Sequence, residues 1–276
     1  MQLNCNGKSL NLDKPQVMGI LNVTPDSFSD GGHFNRIDTA LVQAEQMINE
    51  GAAVIDIGGE STRPGAPDVS EREEISRVIP ILKAIKQRFD VIVSVDTSKA
   101  HVMSEAIEQG AGLINDVRAL QNVGCITAVA QSDVAICLMH MQGLPRSMQN
   151  APYYDDLFSD ISLFFEARIL ACSKAGISKA RLVLDPGFGF GKTLDQNYQL
   201  LAGLNSFQPL DLPILAGLSR KSMIGNLLNR AVEERLSGSL TAAIIAAQQG
   251  AKIIRVHDVK ETVDALKVLD KASLCS

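Results

Sequence analysis

The chain has 276 residues, 46% hydrophobic and 21% charged, with a formal net charge of −5. That length suits one large domain with a sizeable core, and that balance is ordinary for a globular protein. No Lys/Arg run supports nucleic-acid binding, no apolar run approaches the ~20 residues that span a bilayer, and the opening MQLNCNGKSL lacks the apolar core of a signal peptide. The five cysteines, Cys5, Cys125, Cys137, Cys172 and Cys275, are scattered and form no CxxC pair. A reduced, cytoplasmic chain is the expectation, rather than a disulfide framework or a structural zinc site.

Taken in chain order, LNCNGKSLNL alternates around Asn6-Gly7 and reads as a short β-hairpin, placed to close the bottom of whatever follows. Strands are expected near 17–21, 53–57, 91–95, 112–115, 134–138, 181–184, 213–217 and 252–256. Helical patterns lie between them, about 38–50, 71–88, 99–109, 122–131, 154–175, 195–204, 233–249 and 260–272. EGAAVIDIG (50–58), QGAGLINDV (109–117) and QGAKIIRVH (249–257) share one layout: a helix ending in Gly-Ala, then an apolar strand with a polar residue five positions after the glycine. Each strand is a nearly continuous apolar run, as parallel strands covered on both faces require. Eight strand–helix repeats in this length predict a (β/α)8 TIM barrel, an α/β fold, with an open doubly wound sheet as the alternative. No linker or composition shift divides residues 1–276, so a single domain is expected.

In such barrels the active site lies at the carboxyl ends of the strands. Those ends carry Asn22, Asp56, Asp96, Asn115, His140, Asp185, Ser219, Lys221, Arg255 and His257. A polar residue after one strand is usually a turn or cap, but a whole ring of them on one rim points to a ligand. Asp96, Asn115 and Asp185 suit a neutral planar heterocycle with several N–H groups, because a carboxylate accepts two bonds side by side and an amide both gives and takes. Asp96 could instead cap the helix starting near Lys99, and Asn115 could form a turn with Asp116. Asn22, Arg255 and His257 make an anion site, with Arg255 and His257 alternating onto one side of the last strand. A rim salt bridge for Arg255 and a capping role for His257 are the alternatives. His33, His101 and His140 show no metal-ligand spacing, and His101 falls on an outer helix. Two long Gly/Pro/Ser-rich loops, 22–34 and 58–70, read as functional lids; the first carries Thr24, Asp26, Ser27 and Phe28, the second Glu60, Ser61, Thr62 and Arg63.

LVLDPGFGFGKT (182–193) looks like a phosphate-binding loop, Gly, four residues, then Gly-Lys-Thr. Pro186 stands where the first glycine belongs and has no N–H to offer a phosphate, so nucleotide binding is not expected. Lys192 is left with a minor role on the rim.

MGILNVTPDSFSDGG, IDIGGESTRPGA, VSVDTSKA, LINDVRA, LDPGFGFGKT, GLSRKSMIG and IRVHDV occur together and in order, from about residue 17 to residue 260. They resemble the dihydropteroate synthases, a pterin-binding family of the bacterial folate pathway. The resemblance implies a (β/α)8 barrel, usually a homodimer, that joins 4-aminobenzoate to 6-hydroxymethyl-7,8-dihydropterin diphosphate and releases diphosphate with Mg²⁺ assisting. It also implies a target of sulfonamides, which mimic the aminobenzoate, and of antibiotic resistance. Asp96, Asn115, Asp185 and Lys221 would hold the dihydropterin, with Asp185 bridging its 2-amino and N3 positions. Asn22, Thr62, Arg255 and His257 would hold the diphosphate, Asn22 also the metal. Phe28, Arg63, Pro64, Phe190 and Ser219 would shape the aminobenzoate pocket. Asn22, Lys221, Arg255 and His257 would act in catalysis. A pterin-dependent methyltransferase is the rival enzyme, but the anion site and both loops are intact. A non-catalytic pterin-binding protein, the other rival, would have lost loop residues. A Schiff-base role for Lys221 would need a carbonyl substrate that the resembling family lacks.

Overall fold

The computed structural model describes residues 1–24, 33–61, 68–143 and 152–275, with the side chains of 33–35 left aside. The chain opens with an antiparallel hairpin, β1 (Gln2–Cys5) and β2 (Lys8–Asn11), turning at Asn6-Gly7. Eight parallel strands then close on themselves in sequence order: β3 (Gln16–Asn22), β4 (Val54–Gly58), β5 (Ile92–Asp96), β6 (Leu113–Asp116), β7 (Ala135–Met139), β8 (Leu182–Asp185), β9 (Ile214–Gly217) and β10 (Ala251–Val256). The last strand pairs with the first, Ile254 opposite Val17, which makes a barrel and excludes the open sheet. Every expected strand is present with its bounds shifted by a residue or so.

The helices alternate with the strands: α1 (His33–Asn49), α2 (Glu71–Arg88), α3 (Ala100–Glu108), α4 (Cys125–Ala130), α5 (Leu157–Lys174), α6 (Leu194–Ala202), α7 (Ser222–Leu228), α8 (Leu236–Gln248) and α9 (Val259–Ser273). Local chemistry sets several of their ends. Ser70 caps α2 by accepting from the Glu73 amide, and Thr193 with Gln196 forms a reciprocal capping box on α6. The short α7 has no counterpart in the sequence reading, which left 218–232 as loop; seven residues with a glycine in the middle carry too little periodicity to register.

One face of each strand points into the barrel. Met18, Val54, Ile92, Leu113, Ala135, Val183, Leu215 and Ile253 form a floor with Leu3, Cys5, Leu10 and Leu12 of the hairpin. The hairpin therefore plugs the bottom with apolar side chains, as the sequence suggested. Two positions further along the same faces come Asp56, Ser94, Asn115, Cys137, Asp185 and Arg255, and two further again Asn22, Asp96, Ser219 and His257. The opposite faces, Val17, Ile55, Val93, Ile114, Ile136, Leu184 and Ile254 among them, pack under the helices. The interior thus changes from hydrocarbon to polar along the barrel axis, and the polar end is the carboxyl end.

Candidate active site

Asp56, 0% exposed, lies deepest. Its Oδ2 accepts from Arg255 Nε at 2.6 Å and from Asn115 Nδ2 at 3.2 Å. Arg255 Nη2 donates in turn to Asp96 Oδ2 at 2.9 Å. Four of the ring residues therefore form one connected network across β4, β5, β6 and β10. Burial works against the Arg255 charge, but Asp56 and Asp96 outweigh it and raise its pKa above the ordinary value. Burial pushes the Asp96 carboxyl upward, while Arg255 holds it back.

This geometry joins residues that the sequence placed in different groups. Arg255, grouped by sequence with the anion binders, pairs with Asp96 of the heterocycle group and with Asp56, the salt bridge weighed as its alternative. Asp96 does not cap a helix: Lys99 is the N-cap of α3, and Thr97 Oγ1 accepts from the Lys99 amide at 3.3 Å. Asn115 is not the turn former either. Asp116 takes that task, accepting from Ser98 Oγ at 2.5 Å and from the Arg118 and Leu120 amides at 2.8 and 2.7 Å. Asn115 is left to face the barrel interior.

Asp185 is buried at the tip of β8 and accepts from the Gly187 amide at 2.8 Å; burial raises its pKa, against the opposing pull of Lys221. A Cβ on Gly187 would come within 1.9 Å of the His140 carbonyl oxygen, and φ there is +73°, so only glycine fits the turn. Lys221 reaches across from the tip of β9, donating to the Phe188 carbonyl with its Nζ 4.7 Å from the centre of the Phe190 ring. Burial lowers the Lys221 pKa to about 8, despite Asp185 pulling the other way.

His257 and Ser219 meet at the mouth. The Ser219 Oγ accepts from the His257 amide at 3.2 Å and lies 3.0 Å from His257 Nδ1. Ser219, assigned by sequence to the aminobenzoate pocket, thus supports a residue of the anion group. Next to this pair, Arg220 and Asp258 form an ion pair that ties the β9 and β10 loops together. Asn22 is exposed at the end of β3 and lies beside Gly58 and Asp96. Phe28, Thr62, Arg63 and Pro64, with residues 25–32 of the first loop and 62–67 of the second, fall outside the described residues. The foot of the second loop is visible: Lys99 pairs with Glu60 and Glu74, and Glu60 Oε1 accepts from the Val69 amide at 3.0 Å.

Lys192 corrects another expectation. It is not on the rim but 2% exposed, donating to the Gly187 and Phe190 carbonyls at 3.0 and 3.2 Å and lying 3.1 Å from His140 Nδ1. Nor does the 182–193 loop offer its backbone to a phosphate: the Gly187 amide is taken by Asp185 and the Gly189 amide by Asn197.

No cluster of three His, Cys, Asp or Glu side chains forms a cage for a metal among the described residues. A Mg²⁺ that keeps its waters and takes substrate phosphates needs only one or two oxygen ligands from the protein. The Asn22 side-chain oxygen on the rim fits that form of binding.

A barrel with a polar mouth of this kind is the architecture of the pterin-binding enzymes, and the family described as "Pterin binding enzyme" matches residues 18–257. The chain is 58% identical over 270 residues to the dihydropteroate synthase of Escherichia coli K12, covering 98% of this chain and 96% of that one. A solved dihydropteroate synthase of Yersinia pestis, in complex with a sulfonamide drug, superposes with a TM-score of 0.94 at 56% identity over 100% of both chains. That of Xanthomonas albilineans with 4-aminobenzoic acid superposes with a TM-score of 0.93 at 49% identity, over 99% of this chain and 98% of that one. The chain belongs to the dihydropteroate synthase family.

Proposed function

We infer that the chain condenses 6-hydroxymethyl-7,8-dihydropterin diphosphate with 4-aminobenzoate to give 7,8-dihydropteroate and diphosphate. The observation that carries this reading is the stacking of the barrel interior. Buried acceptors, Asp56, Asn115 and Asp185, lie beneath Asn22, Ser219 and His257 on the same inward faces. A flat ring with N–H edges fits below, and its phosphorylated arm reaches the mouth. Solved relatives holding a sulfonamide and 4-aminobenzoic acid support the class of second substrate and of inhibitor.

In this reading Asp185 accepts from the 2-amino and N3 positions of the pterin, Asp96 and Asn115 engage its other polar edges, and Lys221 donates to it. The C–O bond to the diphosphate breaks, its electron pair leaving with the diphosphate, and the electron-rich ring delocalises the cation. The aniline nitrogen then forms the new C–N bond and loses a proton, which needs no strong base because a protonated aniline is very acidic. What the protein must supply is charge stabilisation on the departing oxygens and exclusion of water. Arg255, His257, Asn22 and Thr62 serve the first need. Phe28, Arg63, Pro64 and Phe190 enclose the aminobenzoate. Asn22, with the substrate phosphates, would hold a magnesium ion, which would supply positive charge at the leaving group. Homodimer assembly is extended from the family resemblance, and a cytoplasmic setting from the scattered, unpaired cysteines. No helix of the described residues is long and apolar enough to cross a membrane.

The deciding assay mixes the protein with the pterin diphosphate, 4-aminobenzoate and Mg²⁺ and looks for dihydropteroate. Product should form, and a sulfonamide should compete with 4-aminobenzoate. Binding of both substrates without any product would sink the reading.

A further inference from the structure

Lys192 is a buried lysine to which the chemistry above gives no task; burial lowers its pKa to about 7, so the head is an ammonium below neutral pH. An ammonium has three N–H donors. Here three acceptors surround it: the Gly187 carbonyl, the Phe190 carbonyl and His140 Nδ1, at 3.0, 3.2 and 3.1 Å. His140 fits the acceptor role, because burial and the nearby Lys192 charge lower its pKa to about 2 and keep the ring neutral. Phe164 meets that ring edge-on at 5.0 Å, which fixes its orientation.

The consequence falls on the turn that follows β8. Its outer side is fastened by Asn197, which accepts from the Gly189 amide at 2.6 Å, and by Tyr154, whose hydroxyl donates to the Gly191 carbonyl at 2.8 Å. Its inner side is fastened by Lys192, which holds the first and last carbonyls of the 187–190 stretch at one atom. A four-residue turn gripped at both ends has one shape, and that shape puts the Phe190 ring against the Lys221 head. Replacing the ammonium by a methyl would leave both carbonyls without this donor and the turn free to relax.

We propose that Lys192 is a positioning residue, which sets Phe190 for the aminobenzoate through the carbonyls of Gly187 and Phe190. This rests on the reading of Phe190 as an aminobenzoate contact. The test is a double-mutant cycle on the KM for 4-aminobenzoate, with Lys192→Met, Phe190→Ala and the pair, coupled sites being those whose effects fail to multiply. Each single change should raise that KM by about tenfold, and the pair by no more than about twofold beyond Phe190→Ala alone. Lys192→Gln, which keeps two N–H donors, should recover part of the loss. Multiplying effects, or an unchanged KM in Lys192→Met, overturn the proposal. An unchanged KM in Phe190→Ala alone overturns the subsite reading first, and the proposal with it. Should Lys192→Met fail to fold, Lys192→Gln enters the cycle in its place. The native protein gives an independent check: below the Lys192 pKa of about 7, ¹⁵N NMR should find His140 neutral and protonated on Nε2, and a proton on Nδ1 there would refute the network.

Discussion

Asp56 and Arg255, 199 residues apart in sequence, are joined at 2.6 Å inside the barrel. The aspartate is wholly buried, so the guanidinium is its counter-charge as well as a group available to substrate. Removing it strands two carboxylates. Breaking a buried ion pair from one side costs about 3–5 kcal/mol, because an uncompensated charge remains. Arg255→Ala should therefore lower the melting temperature and weaken diphosphate-free pterin, not only diphosphate. Calorimetry with the bare pterin decides it: unchanged affinity would mean that the network plays no part in shaping the pterin site.

Asp185 presents a different case, since Lys221 acts on it without a direct ion pair like that of Asp56 with Arg255. Asp185→Ala leaves buried ligand N–H groups unpaired, at about 1–3 kcal/mol, or roughly 10- to 100-fold in affinity. Titration of pterin binding should show the loss while thermal stability changes little. A variant that binds pterin normally would disprove the assignment.

The lowered pKa of Lys221, about 8, predicts opposite trends for activity and stability. Above that pH the head is neutral and a weaker donor, so kcat/KM should decline on the alkaline side. Stability moves the other way. Between about 8 and the ordinary lysine value of 10.5 the unfolded chain binds more protons than the folded one, so this group favours the fold increasingly as pH rises. Below 8 that contribution is absent. Lys221→Gln should abolish both trends, as read from the difference in pH profiles of activity and of urea unfolding. A wild-type alkaline limb that survives in the variant belongs to another group.

The hairpin plug gives a purely structural prediction. Leu12 is 0% exposed in the barrel floor. Leu12→Ala should cost about 2–5 kcal/mol, the range for emptying a buried leucine site. Urea midpoints should fall while both substrate KM values stay put. A large KM change would show that the floor and the mouth are mechanically coupled.

Much of this was legible in the sequence because parallel barrel strands are apolar on both faces. Runs such as VMGIL and VIVSV announce themselves, and Ser70 and Arg88 mark the ends of α2. Strand alternation also told that Arg255 and His257 share one side of the last strand. It did not tell which would touch. That Arg255 meets Asp56 and Asp96 depends on how eight strands stagger around the closed sheet, a relationship between distant segments. Lys192, expected on the rim, was misjudged for another reason: lysine is seldom fully buried. Only the fold brings His140 and two carbonyls to its head. The α7 helix was missed because seven residues hold less than two turns' worth of pattern.

The pairing of β3 with β10 has a consequence for how the molecule comes into being. The first barrel strand finds its second neighbour only when nearly all of the chain is available, since Val17 waits for Ile254. Contacts so distant in sequence slow folding, and until they form, β3 and the strand end of the growing sheet present unpaired backbone. A chain stopped short of β10 would keep both edges open and the Asp56 carboxylate without its arginine. Synthesis of the last barrel strand therefore closes the sheet and neutralises the buried site in one event, so truncated products should aggregate rather than fold partway.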